Sequence, residues 1–313
     1  MNTTLINRRS FIKNTLLAAG AISLPLAGDK FAASGAEAPK PPPRPAGNNY
    51  KKSIMWETVR LPGSVLDKFK AIKVAGFEGV ELSSHMNRQE VLDAAKATGL
   101  VITGLVCSTH WRKPLSHPEA AVRREAIEGV LVALEDAKVY GTDAMLLVPG
   151  QVNANVSYDE CWKRSVEGIR ELLPVAEKSN IKICVENVWN YFLLSPLEAR
   201  RYVDQFDSAC VKFYFDTGNV MIHGWPEQWI RELGGRIWRV HIKEFSRKAA
   251  DEKGRRAGFE APLGEGDVDW PRVLEALREC GYHKHVWLTT EQGRSRTAAE
   301  LGDLRGRLEK LLG

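Results

Sequence analysis

Residues 213–219 read FYFDTGN: an aromatic run that finishes on Asp216 and passes at once into a turn. A carboxylate there either caps the turn or serves something bound at the mouth of the strand, and the ends of the other strands decide which. Working outward, short β-branched or aromatic runs recur along the chain. They are SIMWE near 53–57, GVELSS at 79–84, VITGLVCS at 101–108, DAMLLVPG at 143–150, IKICVEN at 181–187, VKFYFD at 211–216, IWRVHIKEF at 237–245 and HVWLTTEQ at 285–292. Between them, stretches such as 64–76, 117–141 and 159–180 space their apolar residues as a helix does, and a last helix is expected over 297–312.

Eight strand–helix units in roughly 260 residues have the count and size of a (β/α)8 barrel, and the regular alternation implies parallel strands. The expected fold is therefore a single-domain α/β TIM barrel over 51–313. A doubly wound open sheet would place a glycine-rich phosphate turn after its first strand, and WETVRLPGS at 56–64 is not one.

The 313 residues carry a formal net charge of +5, but residues 1–50 hold six Lys/Arg against two Asp/Glu, so +4 sits ahead of the barrel. A nearly neutral body leaves no basic footprint for nucleic acid. The start, NRRSFIKNTLLAAGAISLPLAG, sets Arg8 and Arg9 before a weakly apolar stretch from Leu16 to Leu26. That stretch is too short to span a bilayer, and the Arg-Arg-x-Phe-x-Lys pattern from Arg8 to Lys13 fits a twin-arginine export signal over 1–38, implying a periplasmic destination. Residues 39–50 read as a proline-rich linker. The five cysteines form no CxxC pair, and Cys107 and Cys184 fall in strand-like runs, as buried small apolar residues do.

Barrel enzymes place their working residues at the carboxyl ends of strands. Strand five ends with Glu186, strand six with Asp216, strand seven carries His241 and strand eight ends with Glu291. Alternation says where they point. Ile183 and Val185 before Glu186, Phe213 and Phe215 before Asp216, Val240 and Ile242 around His241, and Val286 and Leu288 before Glu291 belong against the outer helices. The polar four then face the axis near the mouth. Taken singly, an Asp before Thr-Gly is usually a turn residue and a strand His a hydrogen-bonded core residue. Together, three converging carboxylates repel and suffer desolvation unless a cation joins them. Mostly hard oxygen ligands with one imidazole suit Mn2+, with Mg2+ or Co2+ as alternatives.

Glu186, DTGN after Asp216, HIKE at 241–244, PLGEGDVDW at 262–270 and Glu291 resemble the xylose isomerase-like TIM barrel superfamily, in particular its sugar phosphate isomerase and ketose 3-epimerase branch. The resemblance covers about 53–313. It implies that Glu186, Asp216, His241 and Glu291 bind one divalent metal and that Glu186 and Glu291 flank a carbohydrate substrate as the acid–base pair. It also marks His110 as a pocket-lining loop histidine and Arg247 as a substrate-contacting arginine. Glu81 shares inward parity and could hydrogen-bond sugar hydroxyls, or be a salt-bridged acid at the mouth. Lys243 shares the parity of His241, and it or Arg247 could bind an oxyanion, or simply pair with Glu244 or Glu265. Trp56, Trp111 and Trp189 fall where aromatic faces stack on sugars, and also where rim packing is ordinary.

The chain departs from that branch at Asn219, where a histidine is common, and at Phe192, where a second acid is common. Both changes bear on substrate polarity. The expected activity is a metal-dependent sugar isomerase or epimerase that abstracts a proton beside a ketose carbonyl. The alternatives are a lyase or deglycosidase on 3-keto-glycosides, a keto-inositol dehydratase, and a periplasmic sugar-binding barrel without turnover. Endonuclease relatives of the superfamily are disfavoured by the neutral body and the small histidine set. A homo-oligomer is compatible with the sequence.

Overall fold

The computed structural model describes residues 49–312, and the export signal and most of the linker read above lie outside them. Strands β1 (Lys51–Met55), β2 (Gly79–Ser83), β3 (Val101–Val106), β4 (Ala144–Leu147), β5 (Lys182–Glu186), β6 (Val211–Asp216), β7 (Ile237–Ile242) and β8 (Trp287–Thr290) pair in parallel with their sequence neighbours. β1 also pairs with β8, Ser53 opposite Thr289, and this closes the barrel. The outer layer holds α1 (Val65–Val74), α2 (Arg88–Thr98), α3 (Ala120–Tyr140), α4 (Tyr158–Ser179) and α5 (Pro196–Asp204). It continues through the short α6 (Thr217–Val220), α7 (Pro226–Leu233), α8 (Arg247–Lys253) and α9 (Arg255–Gly258), then α10 (Trp270–Glu279) and α11 (Ala298–Leu312). No helix among the described residues is long and apolar enough to cross a membrane.

The helices begin where local chemistry tells them to. Ser64, Ser157 and Ser195 each close a capping box with the acid three residues on, Asp67, Glu160 and Glu198. Gly99 and Gly141 end α2 and α3 in the left-handed conformation, and Asn180 ends α4 the same way.

Alternation sorts the strands into two cores. Ile183, Val185, Phe213, Phe215, Val240, Ile242 and Leu288 pack outward in the large cluster under the helices. Val106, Leu146, Cys184 and Tyr214 form a separate small cluster inside the barrel. Beneath it Arg239, paired with Asp143, donates from Nε to the Thr103 carbonyl at 2.9 Å. Two register shifts set levels: between Val80 and Glu81, which brings Glu81 opposite Gly104, and between Phe213 and Tyr214, which brings Asp216 opposite His241.

Apart from β6, which ends at Asp216 as its run does, the strands are shorter at their carboxyl ends than the sequence runs suggest, because those residues turn into the loops that build the site. Glu291 lies one residue beyond β8, with its N–H still donating to the Ile242 carbonyl at 3.1 Å. After β7, buried Glu244 accepts N–H bonds from Phe245 (3.1 Å), Gly264 (2.9 Å), Val268 (3.1 Å) and the Trp270 indole (2.8 Å). A Cβ at Gly266 would stand 2.5 Å from Glu244 Oε1, which explains the glycine in PLGEGDVDW. Asp269 caps α10 by accepting from the Arg272 N–H. The cysteines are free, and Cys107, Cys161, Cys184 and Cys210 are buried.

Candidate metal centre and substrate cavity

Asp216 answers the question its strand raises by doing both jobs, one with each oxygen. Oδ1 accepts the Asn219 N–H at 2.6 Å and caps the short helix α6. Oδ2 is buried and has no hydrogen-bond partner. Asn187, one residue past β5, pins the Asp216 backbone by donating to its carbonyl and accepting from its N–H, both at 2.9 Å. Sequence alternation gave no reason to single out Asn187, which faces away from Glu186.

The four strand-end residues converge. Glu186, Asp216, His241 and Glu291 each offer one ligand atom, all within 4.8 Å of one another. His241 Nδ1 lies 3.2 Å from Glu186 Oε1, 3.0 Å from Glu291 Oε2 and 3.9 Å from Asp216 Oδ2. Its other nitrogen, Nε2, is 2.8 Å from Glu81 Oε1. Lys243, two residues on and so on the same side of β7, sets Nζ 2.8 Å from Glu291 Oε1 and 3.6 Å from Asp216 Oδ2.

The electrostatics follow from crowding. Burial pushes the Asp216 carboxyl up to about 8, against Lys243 and reinforced by the charges of Glu291 and Glu186. Burial likewise raises Glu186, opposed by His241. For Glu291 burial acts upward too, but Lys243 and His241 outweigh it and hold the carboxyl well below the usual range. Burial alone would lower His241, yet Glu81, Glu186 and Glu291 hold it well above its ordinary value. A divalent cation fits this set: it would partner Asp216 Oδ2, which lacks a hydrogen bond, and relieve the carboxylate repulsion that adds to burial in raising Asp216. The four residues are a candidate site for a single divalent ion.

A cavity of about 400 Å3 opens over the cluster. Its polar wall is Glu186, Glu291, Asn219, Lys243 and His110. His110 is buried and accepts the Val148 N–H through Nδ1 at 3.2 Å, which leaves the proton on Nε2. Burial lowers its pKa to about 3, so the imidazole is neutral. The remaining wall is apolar: Met55, Val106, Leu146 and Val188, with the rings of Trp111 and Trp189. Trp189 is braced by Phe259, stacked on it with centroids 5.4 Å apart.

Three residues singled out in the sequence stand elsewhere. Glu81 is fully buried behind His241, outside the cavity lining. Arg247 donates to the Gly224 carbonyl at 2.7 Å and lies over the Trp225 ring, also outside it. Trp56 packs on Phe69 beneath Lys68. Trp111 and Trp189 line the cavity as the sequence suggests, whereas Met55, Val106, Leu146 and Val188 do not stand out in it, since an apolar strand residue looks the same whether it faces a helix or a ligand.

Comparison with known proteins agrees with this architecture. A family model described as xylose isomerase-like TIM barrel matches residues 69–310. The L-ribulose-5-phosphate 3-epimerase UlaE of Salmonella typhi is 26% identical over 234 residues, 69% of this chain and 78% of that protein. The enzyme of the same name from Escherichia coli strain K12 matches at the same identity and coverage. Among solved structures, the 3-keto-D-glucoside 4-epimerase YcjR from E. coli superposes with a TM-score of 0.70 at 20% identity, over 84% of this chain and 98% of that one. The D-psicose 3-epimerase from Clostridium cellulolyticum H10 superposes at 0.67 and 19% identity, over 83% and 98%. With its family model covering most of the closed eight-stranded barrel, the chain belongs to the xylose isomerase-like TIM barrel family.

Proposed function

We propose that the protein is a divalent-metal-dependent sugar epimerase or isomerase that removes and returns a proton beside the carbonyl of a ketose. The observation that carries this is the pair Glu186 and Glu291, both lining the cavity and both within 3.2 Å of His241 Nδ1. Relatives named for 3-epimerisation of L-ribulose 5-phosphate and D-psicose support the same chemistry.

Glu186, Asp216, His241 and Glu291 would hold the ion, and their oxygen-rich donor set favours Mn2+ over softer metals. When bound, such an ion polarises a carbonyl and its neighbouring hydroxyl and so acidifies the C–H between them. One glutamate then takes that proton, and the C–H electron pair flows toward the carbonyl. The other glutamate returns a proton to the same carbon from the opposite face to give the epimer, whereas delivery by the first to the former carbonyl carbon, with the carbonyl re-forming at the carbon that lost its proton, gives an isomer. Neutral His110, with Nε2–H free to donate, and Asn219 and Lys243 would orient the oxygens, while Trp111 and Trp189 would receive the apolar faces of the sugar.

The apolar wall of Met55, Val106, Leu146 and Val188 favours a second reading, a 3-keto-glycoside whose aglycone is expelled after the same proton abstraction. The Arg8–Lys13 pattern supports a periplasmic home for either activity. Incubating Mn2+-loaded protein with ketoses and 3-keto-glycosides in deuterated water separates them. Deuterium in the recovered sugar beside the carbonyl, with the epimer present, establishes the first, and released aglycone the second. No deuterium and no product with any substrate would leave a sugar-binding barrel.

A further inference from the structure

Glu81 is fully buried, and its side chain has a single hydrogen-bond partner, His241 Nε2 at 2.8 Å from Oε1; its Oε2 has none. A buried carboxylate so sparsely partnered costs stability, so packing does not account for it. The fold nevertheless makes room for it. The register shift after Val80 brings Gly104 opposite Glu81, and a Cβ there would stand 3.2 Å from Glu81 Oε2 and 3.1 Å from the Tyr214 hydroxyl. The Tyr214 ring in turn lies against the His241 imidazole with centroids 4.5 Å apart. The imidazole is thus held by its edge and by its face.

We propose that Glu81 is a positioning residue that acts through His241: by accepting the Nε2–H it leaves the Nδ1 lone pair free for the cation and aims it between Glu186 and Glu291. The opposite tautomer would set a lone pair of Nε2 against the Glu81 carboxylate and a proton of Nδ1 into the space the ion needs. Glu81 disfavours it by charge repulsion on one side, and the cation disfavours it on the other. A carboxylate behind a ligating histidine raises its basicity and fixes its ring, and removing such a partner typically costs about 10–100-fold in metal affinity. Glu81 thereby gains a role distinct from contact with sugar.

This assignment rests on the metal-centre reading, and the test separates the two. Mn2+ binding is measured by electron paramagnetic resonance on the full chain, for the wild type, Glu81→Gln and Glu81→Ala. Glutamine can still accept the Nε2–H but lacks the charge. The expected order of affinity is wild type, then Glu81→Gln, then Glu81→Ala, with the last about 10–100-fold weaker at unchanged stoichiometry. Nitrogen-15 spectra of the Mg2+ form, with His241 assigned by the signal lost in His241→Gln, should show Nε2 protonated and Nδ1 bare. Because that measurement uses the wild type, it can overturn the assignment even if a Glu81 variant fails to fold. Wild-type binding with both variants within twofold of it overturns this assignment alone, whereas a proton on Nδ1 in the Mg2+ form overturns it and also removes His241 from the ligand set. A wild type that binds no Mn2+ overturns the metal centre and the assignment with it.

Discussion

Lys243 Nζ lies 2.8 Å from Glu291 Oε1, so a buried ammonium sits against the carboxylate cluster from the residue two beyond His241. Lys243 is the standing counter-charge of the cluster whether or not an ion is bound. Replacing it by methionine keeps the length of the side chain and removes the charge, leaving Glu291 and Asp216 without their nearest cation. Breaking a buried pair in this way costs about 3–5 kcal/mol. The metal-free Lys243→Met protein should unfold several degrees below wild type, and saturating Mn2+ should recover more of that loss than it adds to the wild type. Thermal unfolding with and without Mn2+ checks this, and equal metal-induced shifts in the two proteins would refute it.

Asp216 allows capping and ligation to be separated. Its Oδ1 accepts the Asn219 N–H while Oδ2 faces the cluster. Asparagine can still cap through its carbonyl oxygen but brings no charge to an ion. Asp216→Asn should therefore keep its folded stability in the absence of metal, or gain some as one repelling carboxylate is removed, while losing Mn2+ affinity and turnover. Asp216→Ala should lose both metal and cap, and unfold about 1 kcal/mol more easily than Asp216→Asn. Denaturant titration paired with Mn2+ binding reads the two effects independently.

Much of this site was legible because strand alternation is strict. Cys184 and Glu186 share a side, Ile183 and Val185 the other, and the two cores respect that division. The clustering of Glu186, Asp216, His241 and Glu291 follows from the same period once the strands are read as one barrel. The contacts of Glu81 were not legible. They reach His241 across 160 residues and depend on a register shift after Val80 that no local pattern announces. Arg247 illustrates the other limit. Beyond β7 the chain turns into α8, and the first residue of that helix is carried to Gly224 and Trp225. A loop residue has no period to say where it points. Parity places Lys243 on the inner face, but its partner is Glu291, beyond the end of β8, rather than Glu244 or Glu265, and Glu265 pairs instead with Arg307.

His110 predicts a pH dependence whose sign is fixed by burial. In the unfolded chain its imidazole protonates near 6.5, and in the folded protein burial lowers that value to about 3. Between these limits the unfolded state binds the extra proton, so folding stability falls as pH drops from 6.5 toward 3 and is unaffected by this group above 6.5. The slope is up to about 1.4 kcal/mol per pH unit. Asparagine can accept the Val148 N–H without titrating, so the stability of His110→Asn should fall less steeply over the same window. Chemical denaturation at several pH values gives both slopes, and parallel curves would show that His110 is accessible to protons when folded.

The division of labour between the two glutamates can be read from isotope exchange. If Glu186 and Glu291 serve opposite faces of the sugar, each carboxylate removes the proton from one epimer only. Glutamine retains an oxygen for the ion but cannot take a proton. With Glu186→Gln, one epimer should still exchange its C–H with deuterated water through Glu291 while conversion to the other falls by a factor of about 100 or more, the range a lost general acid–base group commands. Glu291→Gln should show the mirror pattern, with exchange confined to the other epimer. Proton spectra of each sugar incubated separately with each Mn2+-loaded variant give the four outcomes. Were one variant to abolish exchange in both epimers while the other left conversion intact, a single carboxylate would be handling both proton transfers. The chemistry would then be isomerisation or elimination rather than inversion.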